Sequence, residues 1–134
     1  MSLEDNKTIA RRFFEECLIQ GNMDVFDTSF APHLAVHHYG TPALSHTSYR
    51  PLALQLHQAF SGHSLTIDDL IAEGNTVAVR LSYTAATHHS HLGKNPPTGQ
   101  PFQAEATVFF HFEQGKVVEI WYLYQGTDLD FSPA

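Results

Sequence analysis

The order of the predicted elements places this chain in the α+β class. Two apolar, helix-like segments precede a short strand, a third helix follows, and the remaining sequence alternates between polar and apolar residues, interrupted by turns. Helices that precede a run of consecutive strands typically form a layer on one face of an antiparallel sheet. The 134 residues contain no internal repeat and no linker, so we expect a single domain over 1–134.

Apolar periodicity predicts three helices. The first spans 4–20, where apolar residues recur at helical spacing until Gly21 ends the pattern. A second, short helix or turn is predicted over 23–30. The third is predicted over 48–60, with Pro51 in its first turn, where a missing N–H removes no hydrogen bond.

Alternation predicts strands over 34–39, 65–73, 76–87, 102–112 and 116–124, and a loosely held tail from Gly126 to Ala134. The side chains expected to face the helices are Val77, Val79, Leu81, Tyr83, Phe102, Ala104, Ala106, Val108, Phe110, Phe112, Val118, Ile120, Tyr122 and Tyr124. Because Ala104 and Ala106 are small where their neighbours are large, we expect a cavity beside them. The aromatic rings of Phe109 and Trp121 on the opposite face predict that a partner subunit covers that face.

Composition excludes several classes of partner. A net charge of -7 argues against nucleic acid and against anionic membrane surfaces, both of which require basic patches. No stretch approaches the roughly 18 apolar residues of a membrane span, and no signal sequence opens the chain, so we expect a cytoplasmic location. The lone Cys17 excludes an internal disulfide and a cysteine-based zinc site.

Five segments carry a family resemblance, namely 9–16 (IARRFFEE), 30–37 (FAPHLAVH), 70–80 (LIAEGNTVAVR), 92–102 (LGKNPPTGQPF) and 109–121 (FFHFEQGKVVEIW). In this order and spacing the chain resembles the SnoaL-like polyketide cyclases of the nuclear transport factor 2-like superfamily. The resemblance implies a cone-shaped domain, in which a strongly curved antiparallel sheet and three helices from the N-terminal half close a pocket. It also implies a homodimer formed through the outer sheet face.

The resemblance further implies a reaction. In such cyclases a carboxylate on the last strand removes a proton α to a carbonyl, the enolate attacks a second carbonyl, and a histidine on the neighbouring strand assists. Here Tyr122 follows Trp121 where the acid is expected, and the facing position is Val108, so that acid–base pair is absent. The family's first-strand histidine is matched by His37, which is expected to face inward as acid or base. His38 is expected to point the other way, unless a bulge in the strand reverses the two.

The candidate site therefore combines His37 and Tyr122 as catalytic residues with a set of pocket residues. A phenol with a pKa near 10 is a poor base at pH 7, so Tyr122 is expected to orient a ligand oxygen as a hydrogen-bond donor. The expected ligand-binding residues are His38, Tyr83, Ala104, Ala106, Val108, Ile120 and Tyr124. The inward tyrosines either orient a ligand or fill the core.

Other polar groups are assigned no catalytic role. His88, His89 and His91 lie on a loop bounded by Pro and Gly, without an HExxH motif or a helical pair, so we predict no native metal site and no cofactor. Glu105 and Glu119 are expected to face outward near Arg80, in an ion pair at the surface or at an interface.

Two hypotheses on function stand side by side. In the first, the protein performs acid–base chemistry, which means cyclisation, isomerisation or hydration, on a small hydrophobic molecule with carbonyl or hydroxyl groups. In the second, it is a non-catalytic module that binds such a molecule and has lost the family's carboxylate. A dimeric interaction domain with a filled core is a third reading, against which Ala104 and Ala106 argue.

Overall fold

The computed structural model describes residues 2–38, 42–127 and 129–130 and confirms the α+β prediction. The helices are α1 (Leu3–Arg12), which continues as a π-helical segment (Phe13–Ile19), α2 (Asp24–Ser29) and α3 (His46–Ala59). The strands are β1 (Phe30–His38), β2 (Leu44–Ser45), β3 (Phe60–Ser61), β4 (Ser64–Glu73), β5 (Thr76–Ala85), β6 (Thr87–His88), β7 (Phe102–Glu113) and β8 (Lys116–Gln125). Tyr39, the last residue of the predicted first strand, lies outside the described residues.

The main sheet is mixed rather than purely antiparallel. Its six strands follow the order β2-β1-β8-β7-β5-β4, and β1 runs parallel to β8 while all other pairs are antiparallel. The long chain between β1 and β8 permits this parallel pairing, which no short hairpin can make. Register shifts within β1, β4 and the β7–β8 pair bend the strands, and the sheet remains open at β2 and β4.

The helical layer packs on one face of this sheet around Phe13. Its ring lies 4.9 Å from Phe30, 6.3 Å from Tyr49 and 6.2 Å from Phe110 between ring centroids. One side chain therefore joins the π-helical segment to β1, α3 and β7. Phe13 and Phe110 are fully buried, and burial of a ring of this size contributes about 1.5–3 kcal/mol.

The start of α3 differs from the prediction. The helix begins at His46, two residues earlier than expected, because Ser45 caps it by accepting a hydrogen bond from the Ser48 backbone N–H at 3.2 Å. Pro51 consequently lies inside the helix rather than in its first turn.

The alternation of inward and outward residues in β8 also differs from the prediction near the start of the strand. Phe112 pairs with Val117 and His111 with Glu119, so Val118 is the extra residue of a bulge. Val117 is fully buried and Val118 only half-buried, so the predicted inward direction of Val118 is wrong. Beyond the bulge, Ile120 and Tyr122 face inward as expected.

The tail is held more firmly than predicted. The Asn95 side chain donates to the Asp130 carbonyl at 2.8 Å and accepts from the Asp130 backbone N–H at 2.8 Å. The expectation of a loose tail is therefore wrong for Asp130, while 128 and 131–134 lie outside the described residues. In the described part of the chain, every helix is too short or too polar to cross a membrane.

Candidate functional site

An apolar cleft lies between the helical layer and the concave face of β5, β7 and β8. Its walls leave about 660 Å³ free of protein atoms, a volume that includes the open mouth. Ala104 and Ala106 form part of its floor, where larger side chains would close it. The remaining lining comes from Phe14, Leu18, His38, Tyr49, Leu52, Ala53, Leu56, Leu65, Leu81, Tyr83, Phe102, Glu105, Tyr122, Tyr124, Thr127 and Leu129.

Three parallel rings form one wall of this cleft. The His38 ring lies 4.9 Å from Tyr122 and 5.7 Å from Tyr124, with interplanar angles of 6° and 11°. Tyr122 and Tyr124 lie 5.4 Å apart with their planes at 5°. The parallel pairing of β1 with β8 produces this wall, because it sets His38 directly beside Tyr122. Such an arrangement suits the face of a flat molecule.

A buried pair of hydroxyl groups adjoins the three rings. Tyr49 of α3 and Tyr122 of β8 share a hydrogen bond of 2.6 Å between their Oη atoms, and the two residues are only 4% and 6% exposed. Two hydroxyls in one hydrogen bond use one O–H donor and leave the other, together with spare acceptor capacity. No protein acceptor for that second O–H occurs in residues 2–38, 42–127 and 129–130.

Burial keeps the two tyrosines and the neighbouring His38 uncharged at neutral pH. It raises the pKa of Tyr49 and of Tyr122 well above the ordinary phenol value, so both remain protonated donors at neutral pH. Burial, assisted by repulsion from His37, lowers the pKa of His38 to about 4. His38 is therefore a neutral imidazole at pH 7 and a weak base.

A second polar group faces the cleft from β5. The Tyr83 Oη atom lies 2.9 Å from Nδ1 of His63, a half-buried residue just before β4. Burial raises the pKa of Tyr83, and burial followed by repulsion from His57 lowers the pKa of His63. Both side chains are consequently neutral at pH 7.

His37 does not reach the cleft, and its expected inward direction is wrong. Its Nε2 atom lies 2.7 Å from Glu119 Oε2, and its ring stacks on Trp121 at 3.8 Å, on the outer face of the sheet. The physical reason is the phase of β1, in which Leu34 and Val36 are buried and His38 continues their side. His38 therefore faces the cleft and His37 faces outward, the reverse of the expectation.

The other expected pocket residues divide into two groups. Tyr83, Tyr124, Ala104 and Ala106 line the cleft beside His38 and Tyr122. Val108 and Ile120 do not line it, because both are fully buried in the core among the surrounding side chains. Val108 is opposite Tyr122 in the β7–β8 pair and 0% exposed.

The two glutamates face outward as expected, and Glu105 is near enough to Arg80 to interact with it electrostatically. Glu119 instead approaches His37 and, at 3.6 Å, His111. The hydrogen-bonded partner of Arg80 is Asp69, at 2.7 Å. Glu105 is exposed and stands at the mouth of the cleft.

Two functional candidates were missed at the sequence level. Tyr49 carries a signal that could have found it, because it precedes Leu52 by three residues and Ala53 by four on the apolar face of α3. His63 carries no comparable signal, since it stands between two strands and gains its role only from the Tyr83 hydroxyl.

The histidine that ends β6 and the two in the loop after it have separate environments. His88 is 1% exposed, its ring packs 4.7 Å from Phe60, and its Nε2 atom has no hydrogen-bond partner among the described residues. His89 and His91 are exposed, and His89 pairs with Ser90 at 2.8 Å. In the part of the chain that the structure describes, no three His, Cys, Asp or Glu side chains are grouped as metal ligands.

Comparisons with known proteins identify the family of the domain. The sequence model of the family described as SnoaL-like polyketide cyclase matches residues 8–130. A search of curated proteins found no match.

Solved structures share the fold at low sequence identity. A proposed SnoaL-like polyketide cyclase from Jannaschia sp. CCS1 is 20% identical, with a TM-score of 0.79 over 91% of this chain and 86% of that chain. AclR, a proposed hydroxylase from Streptomyces galilaeus, is 22% identical, with a TM-score of 0.77 over 92% of this chain and 91% of that chain. An LEH-like epoxide hydrolase from M. tuberculosis is 13% identical, with a TM-score of 0.69 over 92% of this chain and 84% of that chain.

Proposed function

Because the chain belongs to the SnoaL-like polyketide cyclase family, we propose that its cleft binds a small, flat, mainly hydrophobic molecule that carries a carbonyl or hydroxyl group. The observation that carries this proposal is the Tyr49–Tyr122 hydroxyl pair beside the three parallel rings. The rings and the apolar lining bury the flat body of the ligand, and the remaining O–H donates to its oxygen.

The absence of an acid on this wall favours binding over the family's proton abstraction. In the described part of β8, the side chains that line the cleft are phenols, and neutral phenols donate hydrogen bonds but are poor bases. The part of the wall that touches a ligand oxygen is thus suited to holding a carbonyl in one orientation. A binding module is the function that this chemistry supports best.

Anthraquinone and anthracene provide a matched test, because both are flat and only the first carries carbonyl oxygens. We expect anthraquinone to raise the melting temperature of the protein more than anthracene does. In the double variant Tyr49→Phe and Tyr122→Phe, which keeps both rings and removes both O–H groups, anthraquinone binding should weaken by about 1 kcal/mol, or roughly fivefold in Kd, while anthracene binding should not change. If neither compound shifts the melting temperature of the unmodified protein, the binding proposal is wrong.

A second candidate function is acid–base chemistry with His38 as the base, and the neutral state of this imidazole beside the hydroxyl pair favours it. His38 would accept a proton from the carbon next to a carbonyl, and the O–H of the tyrosine pair would stabilise the enolate oxygen. Turnover would then persist from pH 7 to about pH 5 and decline toward pH 4, where His38 becomes protonated. Turnover in His38→Phe equal to that of the unmodified protein would exclude this chemistry.

We also propose that the outer face of the sheet pairs two copies of the chain. Phe109, Trp121 and Leu123 are 43%, 47% and 57% exposed there. Large apolar side chains grouped on adjacent strands lose unfavourable contact with water when a like surface covers them.

A further inference from the structure

The chain that follows β8 links the sheet to the loop between β6 and β7. β8 ends beside β7, and the next residue, Gly126, turns the chain with a positive φ of 82°, a conformation that glycine adopts without strain. Thr127 and Leu129 then line the cleft, and Asp130 bonds to Asn95 of that loop. We call Gly126, Thr127, Leu129 and Asp130 the strap.

The loop that receives the strap is fixed to the helical side of the cleft. Leu92 is fully buried, and the Gly93 backbone N–H donates to the Gln55 side chain of α3 at 2.8 Å. Leu92 and Asn95 exchange two backbone hydrogen bonds, of 3.0 Å and 2.9 Å, which close a tight turn. Because α3 also supplies Leu52 to the cleft lining, the strap runs from the sheet to the helical wall.

Two reciprocal hydrogen bonds join the strap to this turn. The Asn95 side chain donates through Nδ2 to the Asp130 carbonyl and accepts through Oδ1 from the Asp130 backbone N–H, both at 2.8 Å. Nδ2 also donates to the Leu92 carbonyl at 2.9 Å, which fixes the plane of the amide. A carboxamide carries a donor and an acceptor side by side, so Asn95 pairs with the strap backbone as a neighbouring strand would.

The contacts that hold the strap are weak ones. Both hydrogen bonds between Asn95 and Asp130 are exposed to solvent, so water competes for the same groups. Leu129 packs against the core but is only half-buried. Segments with few buried apolar contacts and exposed backbone hydrogen bonds open locally while the rest of the protein stays folded.

We propose that the strap is a closure across the mouth of the cleft, that Asn95 is its latch, and that a molecule enters the cleft when the strap detaches. The strap begins beside Ala104, next to Glu105 at the mouth, and Leu129 forms part of the lining. Such a closure controls the rate of entry rather than the identity of the molecule that binds, and so goes beyond the proposed function.

A thiol introduced on the cleft floor measures access without any ligand. Position 106 is 6% exposed, so the reaction of Ala106→Cys with dithiodipyridine, a small neutral disulfide, requires the reagent to enter the cleft. We expect Asn95→Ala, added to Ala106→Cys, to speed this reaction about fivefold to tenfold, because it removes both latch bonds.

Cys17 provides an internal control in the same molecule. It is 0% exposed in the core and reacts only when the protein unfolds, so its rate should not change in Asn95→Ala. Peptide mass mapping separates the two thiols. A merely structural role for Asn95 would expose both of them and speed both reactions equally, which would overturn the proposal.

Two further variants, each combined with Ala106→Cys, test the strap and the loop separately. Leu129→Ser removes the apolar contact of the strap without altering the loop that carries Asn95, and it should also speed the reaction on the cleft floor. Gln100→Ala changes an exposed side chain of the same loop and should leave the rate as it is. If neither Asn95→Ala nor Leu129→Ser speeds the reaction, the strap does not control access and the proposal is wrong.

Discussion

At the scale of single residues, the neutral His38 ring is central to the cleft. It is 4% exposed, and its pKa is lowered to about 4 by burial and then by repulsion from His37. A histidine in this state gives the cleft a hydrogen-bonding group without a charge, so an apolar ligand does not have to be buried against an imidazolium ion.

This lowered pKa predicts a pH-dependent stability. The unfolded chain binds a proton at His38 near pH 6.5 and the folded protein only near pH 4, so stability is complete above pH 6.5 and falls as the pH drops toward 4. The loss attributable to His38 should approach about 3 kcal/mol. In His38→Phe, urea unfolding at pH 7 and pH 4 should show a decline smaller by that amount.

His33→Phe is the matched control, because the His33 side chain is 69% exposed on the same strand. Its stability should decline with pH as in the unmodified protein. An equal decline in His38→Phe and His33→Phe would show that His38 does not titrate as the structure requires.

At the scale of the elements, the bulge at Val118 sets which residues of β8 face the core. Strict alternation from Ile120 backward would place Val118 inside, whereas the extra residue turns Val117 inward. The inward-facing residues Val117, Ile120 and Tyr122 are therefore separated first by three residues and then by two, and the first step is irregular. A local pattern cannot reveal this step, because the extra residue is defined only by its pairing with β7.

The two adjacent valines provide a direct test of the bulge. Val117→Ala should lower the free energy of unfolding by about 2–3 kcal/mol, because it opens a cavity beside a fully buried side chain. Val118→Ala should cost less than about 1 kcal/mol, since its side chain is only half-buried. Chemical denaturation of the two variants measures the difference, and a larger loss for Val118→Ala would contradict the assigned register.

At the scale of the whole molecule, the two faces of the sheet carry different chemistry. The concave face holds the cleft with its neutral phenols and imidazole. The outer face holds Trp121, stacked on His37, together with the His37–Glu119 pair. The polar pair next to exposed rings is typical of a surface that another protein molecule covers, as expected for the proposed dimer.

The proposed dimer predicts a change in molecular mass on substitution of the outer face. Trp121→Glu should convert dimers to monomers, because it places a charge among apolar side chains that the interface would bury. Leu3→Glu serves as the control, since Leu3 is 44% exposed on α1, away from that face. Light scattering after size exclusion measures both variants, and an unmodified protein that is monomeric at all concentrations would refute the proposal.

The sequence by itself determined the α+β class, the number of helices and the inward faces of β5 and β7. Each of these follows from a period of two or of about 3.6 along a continuous segment, which depends only on near neighbours. The alternation of Leu34 and Val36 also indicated that His38 faces inward, because it continues their side of the strand. The family resemblance pointed to His37 instead.

Only the tertiary structure decided how the site is assembled. The parallel pairing of β1 with β8 sets His38 beside Tyr122, and the position of α3 brings the Tyr49 hydroxyl to within 2.6 Å of the Tyr122 hydroxyl. The contact of His63 with Tyr83 likewise joins the entry of β4 to a neighbouring strand. These contacts link segments far apart in the chain, and they depend on the packing of the whole core rather than on any local pattern.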